Sequence, residues 1–191
     1  MRREEYFRLH MDKRITNIVK PLDFPKAYTY NLKKEDFDAT DSLLATHYDD
    51  KEFYQFPDLI FRPVFMFLDR LRECFEALMP TTKYHGVQYL AASDFDPAND
   101  PMKSDLLRPL YWIPYLYPQD VLHESTKINS VGRADNLALD RAALDALPSE
   151  ICSLVRISLP GEEIYVVNYS TVEQLLGERA LGMRFESVPI L

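Results

Sequence analysis

Hydrophobic residues near the C-terminus fall into short blocks that predict strands and one helix. Residues 154–157 and 164–167 are rich in Val and Ile and are separated by the turn-forming pair Pro160-Gly161, which predicts two paired strands. Spacings of three and four residues then predict a helix over residues 171–179, and residues 183–188 predict a closing strand. This part of the chain is therefore expected to fold as two strands, a helix and a strand.

Two helix starts are predicted from side chains that can accept backbone hydrogen bonds. Ser170 or Thr171 is placed to cap the helix over residues 171–179. The side chains of that helix expected to face inward are Val172, Leu175 and Leu176. Earlier in the chain, residues 137–139 predict a short strand, and Asp140 is placed to cap a helix over RAALDAL.

Residues 63–79 carry hydrophobic side chains at spacings of three and four with charged side chains between them, which predicts an amphipathic helix. Its buried face is expected to consist of Phe65, Leu68, Leu71, Phe75, Leu78 and Met79. An alternative stays open at its start, because residues 64–67 also fit a strand followed by a shorter helix that Asp69 caps.

Further strands are predicted from alternation and from aromatic content. Val87, Tyr89 and Ala91 alternate with other residues, which predicts a half-buried strand. Residues 111–117 form an aromatic block interrupted by Pro114, and because proline cannot donate to a β-ladder the block is expected at a sheet edge or a bulge. Short strands are also expected at residues 4–10 and 15–19.

Together these elements predict an α+β fold with one mixed, mainly antiparallel sheet packed by two or three helices. The strands near Val87, Tyr111, Leu137, Leu154, Ile164 and Met183 would form the sheet. We expect residues 61–191 to form the main domain and residues 1–60 to form an N-terminal arm packed on it.

Composition and charge narrow the class of protein. With 47% hydrophobic and 13% aromatic residues, the chain has the content of a globular protein and not of a disordered one. The net charge of −8 and the lack of a basic cluster disfavour direct nucleic-acid binding. The first residues lack the apolar core of a secretory signal and no run is apolar enough to span a membrane, so a cytoplasmic location is expected. Cys74 and Cys152 are expected to be free thiols.

The most biased stretch, residues 35–58, combines acidic and aromatic side chains. One interpretation is a solvated connection whose aromatic residues anchor it to the core. The other is a binding surface, because aromatic anchors surrounded by acidic groups suit a basic protein partner. The residues predicted to bind that partner are Tyr48, Asp49, Asp50, Glu52, Tyr54 and Asp58.

The side chains that usually carry catalysis show no recognisable arrangement. The four histidines, His10, His47, His85 and His123, have no metal-ligand spacing, and the sequence contains no nucleophile elbow and no glycine-rich phosphate loop. We therefore predict no catalytic residue, metal or cofactor. The alternative is a small enzyme that uses His47 or His123 with neighbouring carboxylates.

Several segments within residues 61–191 resemble, in content and order, those of bacterial immunity proteins encoded beside polymorphic toxins. The segments are YWIPYLYPQDVLHES, LALDRAALDALPSEICSLVRI and IYVVNYSTVEQLLGERALGMRFESV, preceded by LIFRPVFMFLDRLRECFEAL. The resemblance implies a cytosolic protein that binds and neutralises a cognate toxin domain by covering it. The acidic charge of the chain indicates that this toxin domain is basic. The resemblance implies no catalytic residues. The remaining alternative is an adaptor for a partner unrelated to toxins, and no oligomeric state is predicted.

Overall fold

The computed structural model describes residues 5–24, 28, 33–49, 54–92 and 108–191. The strands, in chain order, are β1 (Tyr6–Met11), β2 (Leu43–Tyr48), β3 (Leu59–Ile60), β4 (Met66–Leu68), β5 (Tyr84–Ala91), β6 (Leu110–Pro114), β7 (Lys127–Ile128), β8 (Ala134–Asn136), β9 (Leu154–Leu159), β10 (Glu162–Asn168) and β11 (Met183–Val188). The α-helices are α1 (Lys34–Ala39), α2 (Arg72–Leu78), α3 (Arg141–Asp145) and α4 (Tyr169–Gly177), and a 3-10 turn, Asp69–Leu71, leads into α2. The predicted α+β class, with mixed and mainly antiparallel sheets, is confirmed. No helix of the described residues is long and apolar enough to cross a membrane.

The chain divides into two compact units. One contains Met11–Arg72 and Lys83–Tyr115, and the other contains Met1–His10, Glu73–Thr82 and Leu116–Leu191. The predicted strands are therefore not members of one sheet. The first 60 residues contribute β2 and β3 to the first of these units and most of β1 to the other, and the expected arm-and-domain division at residue 60 stays a prediction.

The first unit contains a five-stranded sheet in the order β2-β5-β6-β4-β3. β2 runs parallel to β5, whereas the β5–β6, β6–β4 and β4–β3 pairs are antiparallel. One face of the sheet is buried in a hydrophobic core that includes Val87, Tyr89, Tyr111 and Ile113. The predicted alternation at residues 87–91 is thus confirmed.

The aromatic strand around Pro114 lies in the middle of this sheet, so the expectation of an edge or a bulge is wrong. Pro114 is the last residue of β6 and pairs with Tyr84 of β5, while the β4 pairs on the other side of β6 reach only Tyr111 and Trp112. Because Pro114 lies beyond the β4 ladder, its missing N–H removes no hydrogen bond on that side. A proline at a strand end therefore does not mark the strand as an edge.

The second unit contains a four-stranded sheet in the order β11-β1-β10-β9 and a small β7–β8 ribbon. β9 and β10 form the predicted hairpin around Pro160 and Gly161, and one face of this sheet buries Val155, Ile157 and Ile164. The predicted strand at residues 137–139 is wrong, since the local strand is β8 and Leu139 forms only isolated bridges. The predicted strand at residues 15–19 is likewise reduced to a single bridge at Ile18.

Helix starts and faces differ from expectation in detail. Asp140 caps α3 as predicted, its carboxylate accepting the Ala143 N–H over 2.8 Å. In α4 the cap is Asn168, which accepts the Thr171 N–H, and not Ser170 or Thr171. Val172 and Leu175 are buried as predicted, but Leu176 is 59% exposed.

The long helix expected over residues 63–79 is instead β4, a 3-10 turn and α2, which is close to the alternative that the sequence left open. Leu71 and Phe75 are completely buried, as predicted. Asp69 does not cap the turn with its side chain. Its carboxylate instead accepts a hydrogen bond from Trp112.

Candidate functional site

Asp58 lies inside the first unit, so its expected place on an exposed acidic surface is wrong. Its carboxylate is 5% exposed and is paired with Arg70, whose side chain is 41% exposed. The Arg70 Nε–H donates to one carboxylate oxygen over 2.6 Å, and Nη2 contacts the other oxygen. The arrangement is an ion pair with two contacts between the residue that precedes β3 and the turn before α2. The burial of Asp58 and its pairing with Arg70 indicate that this carboxylate has a structural role.

The aromatic residues of the predicted binding stretch are also turned inward. Tyr48 is buried, and its ring lies edge-on to those of Tyr54 and Phe56 at centroid distances of 6.4 and 5.4 Å. Tyr54 is half-buried against the same core. This placement favours the interpretation in which the aromatic residues anchor the segment.

The remaining acidic residues of that stretch are placed as follows. Asp49 follows β2 and is half-exposed. Asp50 and Glu52 lie outside the described residues. The role of these residues in binding a partner stays a prediction.

His47 is paired with Asp23, which the sequence analysis did not connect with it. The Asp23 carboxylate contacts His47 Nδ1 at 2.5 Å, accepts the His47 backbone N–H over 2.8 Å and accepts the Thr46 hydroxyl over 2.9 Å. Partial burial acts to raise the pKa of Asp23, but the hydrogen bonds donated by His47 and Thr46 outweigh it, so the pKa lies below its ordinary value. The pair fixes the imidazole and the end of β2.

A carboxylate that orients an imidazole is the arrangement of a general base, provided that the other ring nitrogen reaches a substrate. In His47 the other nitrogen, Nε2, is closed to solvent. The ring is therefore positioned as a structural group. His123, the other histidine of the enzyme alternative, uses Nδ1 to contact the Ser125 hydroxyl at 2.9 Å and the Ser125 N–H at 3.2 Å.

His85 belongs to a buried aromatic cluster of the first unit. Its ring stacks on Phe37 with a centroid distance of 3.7 Å and an interplanar angle of 16°, and its Nδ1 contacts the Tyr28 hydroxyl. Burial lowers the pKa of His85; the negative charge of Asp38 raises it by a smaller amount, and the positive charge of Lys83 adds to the lowering. The neutral imidazole is thus the form that fits this cluster.

The clearest candidate for a recognition site is the part of the second face of the five-stranded sheet, opposite the core, that β2, β5 and β6 form. At β4 the same face is covered, since Phe67, the register partner of Trp112, is completely buried. Trp112 of β6 lies on this face, partly exposed, and its Nε1–H donates to Asp69 over 2.6 Å. The Arg72 guanidinium lies 3.8 Å from the centre of the same ring. The cation and the carboxylate hold the indole in one orientation, which reduces the entropy it would lose on binding.

Gly86 of β5 allows apolar side chains of the two strands on either side of it, β2 and β6, to approach each other on this face. A Cβ atom at residue 86 would lie 2.9 Å from Leu43 Cδ1, 3.3 Å from Trp112 Cζ3 and 3.4 Å from Leu110 Cδ1. Leu43 is 61% exposed, and Leu110 is partly exposed. We call Leu43, Gly86, Leu110 and Trp112 the Trp112 face.

Sequence reasoning missed this face because its residues come from three separate strands. The only signal was the aromatic block at residues 111–117, and alternate residues of that block, Tyr111 and Ile113, are buried in the core. The partners of Trp112 and His47 lie 43 and 24 residues away in sequence, so no local spacing reveals them.

The chemistry available elsewhere is limited in the part of the chain that the structure describes. No group of three His, Cys, Asp or Glu side chains there is placed to hold a metal ion. Neither Cys74 nor Cys152 forms a disulfide, and burial raises the pKa of the Cys74 thiol.

Comparison with models of known protein families finds no family that matches the chain. Comparison with curated proteins finds no similar sequence. The resemblance to toxin immunity proteins therefore remains a prediction from the segments given above.

Proposed function

We propose that the chain is an immunity or inhibitor protein of the cytoplasm that binds a cognate bacterial toxin domain and neutralises it by covering its active surface. The observation that carries the proposal is the Trp112 face. Tryptophan and arginine are the side chains most often found at the energetic centres of protein interfaces, and apolar neighbours exclude water from such centres. Here Trp112, whose ring is held by Asp69 and Arg72, lies close to the exposed side chain of Leu43.

The charge of the chain supports a basic partner. A net charge of −8 accelerates the encounter with a cationic protein and repels nucleic acid. Toxin domains that act on nucleic acid are basic for the same physical reason, since they must bind phosphate. An acidic protein with an apolar recognition face suits the role of covering such a surface stoichiometrically.

The proposal is tested with the toxin domain encoded beside this protein. Co-expression of the wild-type chain should restore growth to cells that produce the toxin, and the purified proteins should form a complex. Trp112→Ala should weaken the complex by about 2 kcal/mol or more, roughly thirtyfold in Kd, because it removes the centre of the face. Leu176→Ala, which truncates an exposed leucine of α4, is the matched control and should leave Kd unchanged.

Thermal unfolding of each variant separates lost binding from lost folding. A wild-type chain that neither binds nor protects contradicts the proposed function. A complex that forms but is insensitive to Trp112→Ala would place the interface elsewhere. Binding to a partner without toxic activity would favour the adaptor alternative.

A further inference from the structure

The hydrogen bonds between β2 and β5 determine which backbone groups of β2 face outward. The Gly86 N–H donates to the carbonyl of Ser42 over 2.8 Å, and Leu43 is the register partner of Gly86. In a parallel ladder the bonding residues of a strand alternate, so residues 42, 44, 46 and 48 bond to β5. The N–H and C=O groups of residues 43, 45 and 47 therefore point away from the sheet.

At His47 this outer side is already occupied by the protein itself. The His47 carbonyl accepts the Leu22 N–H over 2.8 Å, and the His47 N–H donates to Asp23 over 2.8 Å. These contacts confirm the outward direction independently. They also show that the outward backbone groups of this strand can form hydrogen bonds with another segment of the chain.

Leu43 and Ala45, which precede His47 in β2, direct their backbone N–H and C=O groups to the same outer side. Within the described ranges no backbone group pairs with them on the outer side. Both residues are exposed, Leu43 by 61%. The start of β2 is thus an open sheet edge with apolar side chains.

The other edge strands of the two larger sheets are protected in ways that the start of β2 is not. β3, at the opposite edge of the same sheet, is buried, with Leu59 and Ile60 at most 2% exposed. In the four-stranded sheet, β9 is partly covered because the Arg156 carbonyl accepts the Gln119 N–H over 2.8 Å. β11 carries the exposed charges of Arg184 and Glu186. Proteins usually prevent an edge strand from pairing with another chain by covering it or by placing charged side chains on it. Neither protection is present among the described residues at positions 43–45, which indicates that this edge is used for binding.

We propose that the edge of β2 at Leu43–Ala45 receives an extended segment of the toxin domain as an additional β-strand. This inference rests on the proposed function and specifies how the partner is bound. Leu43, Gly86 and Trp112 lie in one register row, so every second residue of the incoming segment lies beside the Trp112 face and is apolar. Exposed Asp41 before β2 and half-exposed Asp49 after it favour basic residues at both ends of the segment.

The sharpest test is Ala45→Pro. The Ala45 N–H is not used by the β2–β5 ladder, so proline removes an outward donor and places its ring at the edge without breaking an internal hydrogen bond. Ala45→Thr is the matched control, because it keeps the N–H and a β-favouring side chain. With the toxin domain as probe, Ala45→Pro should raise Kd by about tenfold or more and Ala45→Thr should not, since main-chain hydrogen bonds supply the affinity of strand addition.

Hydrogen exchange distinguishes a failure of this inference from a failure of the proposed function. The amides of Leu43 and Ala45 should exchange rapidly in the free protein and become protected in the complex. If the wild-type chain binds the toxin domain while both amides remain unprotected and Ala45→Pro binds normally, the strand addition is wrong and the proposed function stands.

If the toxin domain does not bind, the proposed function fails and the edge is tested with a synthetic seven-residue peptide of alternating valine and threonine with lysine at each end. Protection of the two amides by the peptide, lost in Ala45→Pro, supports an edge that recognises an extended basic segment. No protection overturns it. A concentration-dependent dimer of the free protein that Ala45→Pro dissociates also overturns it, because the edge would then pair with a second copy.

Discussion

The ion pair between Asp58 and Arg70 offers a quantitative test of the structural assignment of Asp58. Exposed ion pairs contribute about 0.2–1 kcal/mol, whereas removal of one partner of a buried pair costs about 3–5 kcal/mol. Here the carboxylate is 5% exposed and the guanidinium 41% exposed, so solvent screens one side of the pair only. The expected coupling energy lies between these limits, at about 1–3 kcal/mol.

The measurement is a double-mutant cycle of Asp58→Asn, Arg70→Gln and the double variant, with free energies of unfolding from urea titrations. Arg70→Gln should cost more than Asp58→Asn, because it leaves a charged carboxylate in the interior, whereas Arg70 can extend into water when Asp58 is neutral. Arg14→Gln, which removes the partner of Asp12 from a side chain 89% exposed, is the control and should have no measurable effect. A coupling energy below about 0.5 kcal/mol would refute the interior assignment.

Two further predictions concern stability. Because burial lowers the pKa of His85 in the folded protein, its contribution to stability is complete above the unfolded pKa of about 6.5 and is lost as pH falls through the lower folded pKa. Between neutral and mildly acidic pH, the melting temperature should therefore fall less for His85→Gln than for the wild type. An equal fall for both proteins would contradict the buried environment assigned to His85. Phe75→Ala should destabilise by about 3–5 kcal/mol in urea titrations, since the ring is completely buried, and a change under about 1 kcal/mol would show that α2 is wrongly placed.

The features predicted correctly from the sequence depend on residues close together in the chain. The Asp140 cap joins residues three apart, and the β9–β10 hairpin is joined by a Pro-Gly turn. The α4 cap was misplaced because Asn168, Ser170 and Thr171 are all capping residues, and only the backbone conformation selects Asn168. Local chemistry thus predicted the elements but not their ends.

The features predicted wrongly depend on contacts between distant residues. The density of acidic residues between residues 35 and 58 suggested an exposed surface, yet Asp58 is neutralised by Arg70 from a later turn and Tyr48 completes a core. The number of acidic residues in a stretch of sequence does not determine whether each one is exposed. A carboxylate can be buried when the fold places one basic side chain next to it. The assignment of strands to one sheet failed similarly, since alternation indicates a strand but not its neighbours.

The register of β2 determines whether the chain has an open apolar edge at all. With the observed register, Leu43 and Ala45 direct their backbone groups outward, while Leu44, Thr46 and Tyr48 bond to β5. A shift by one residue would direct the groups of Leu44 and Thr46 outward and would move Tyr48 from the core to the opposite face. Burial of Tyr48 against Phe56 therefore fixes the register, and with it the edge. The sequence suggested Tyr48 as a contact with the partner. Tyr48 instead holds β2 in the register that exposes the proposed binding edge.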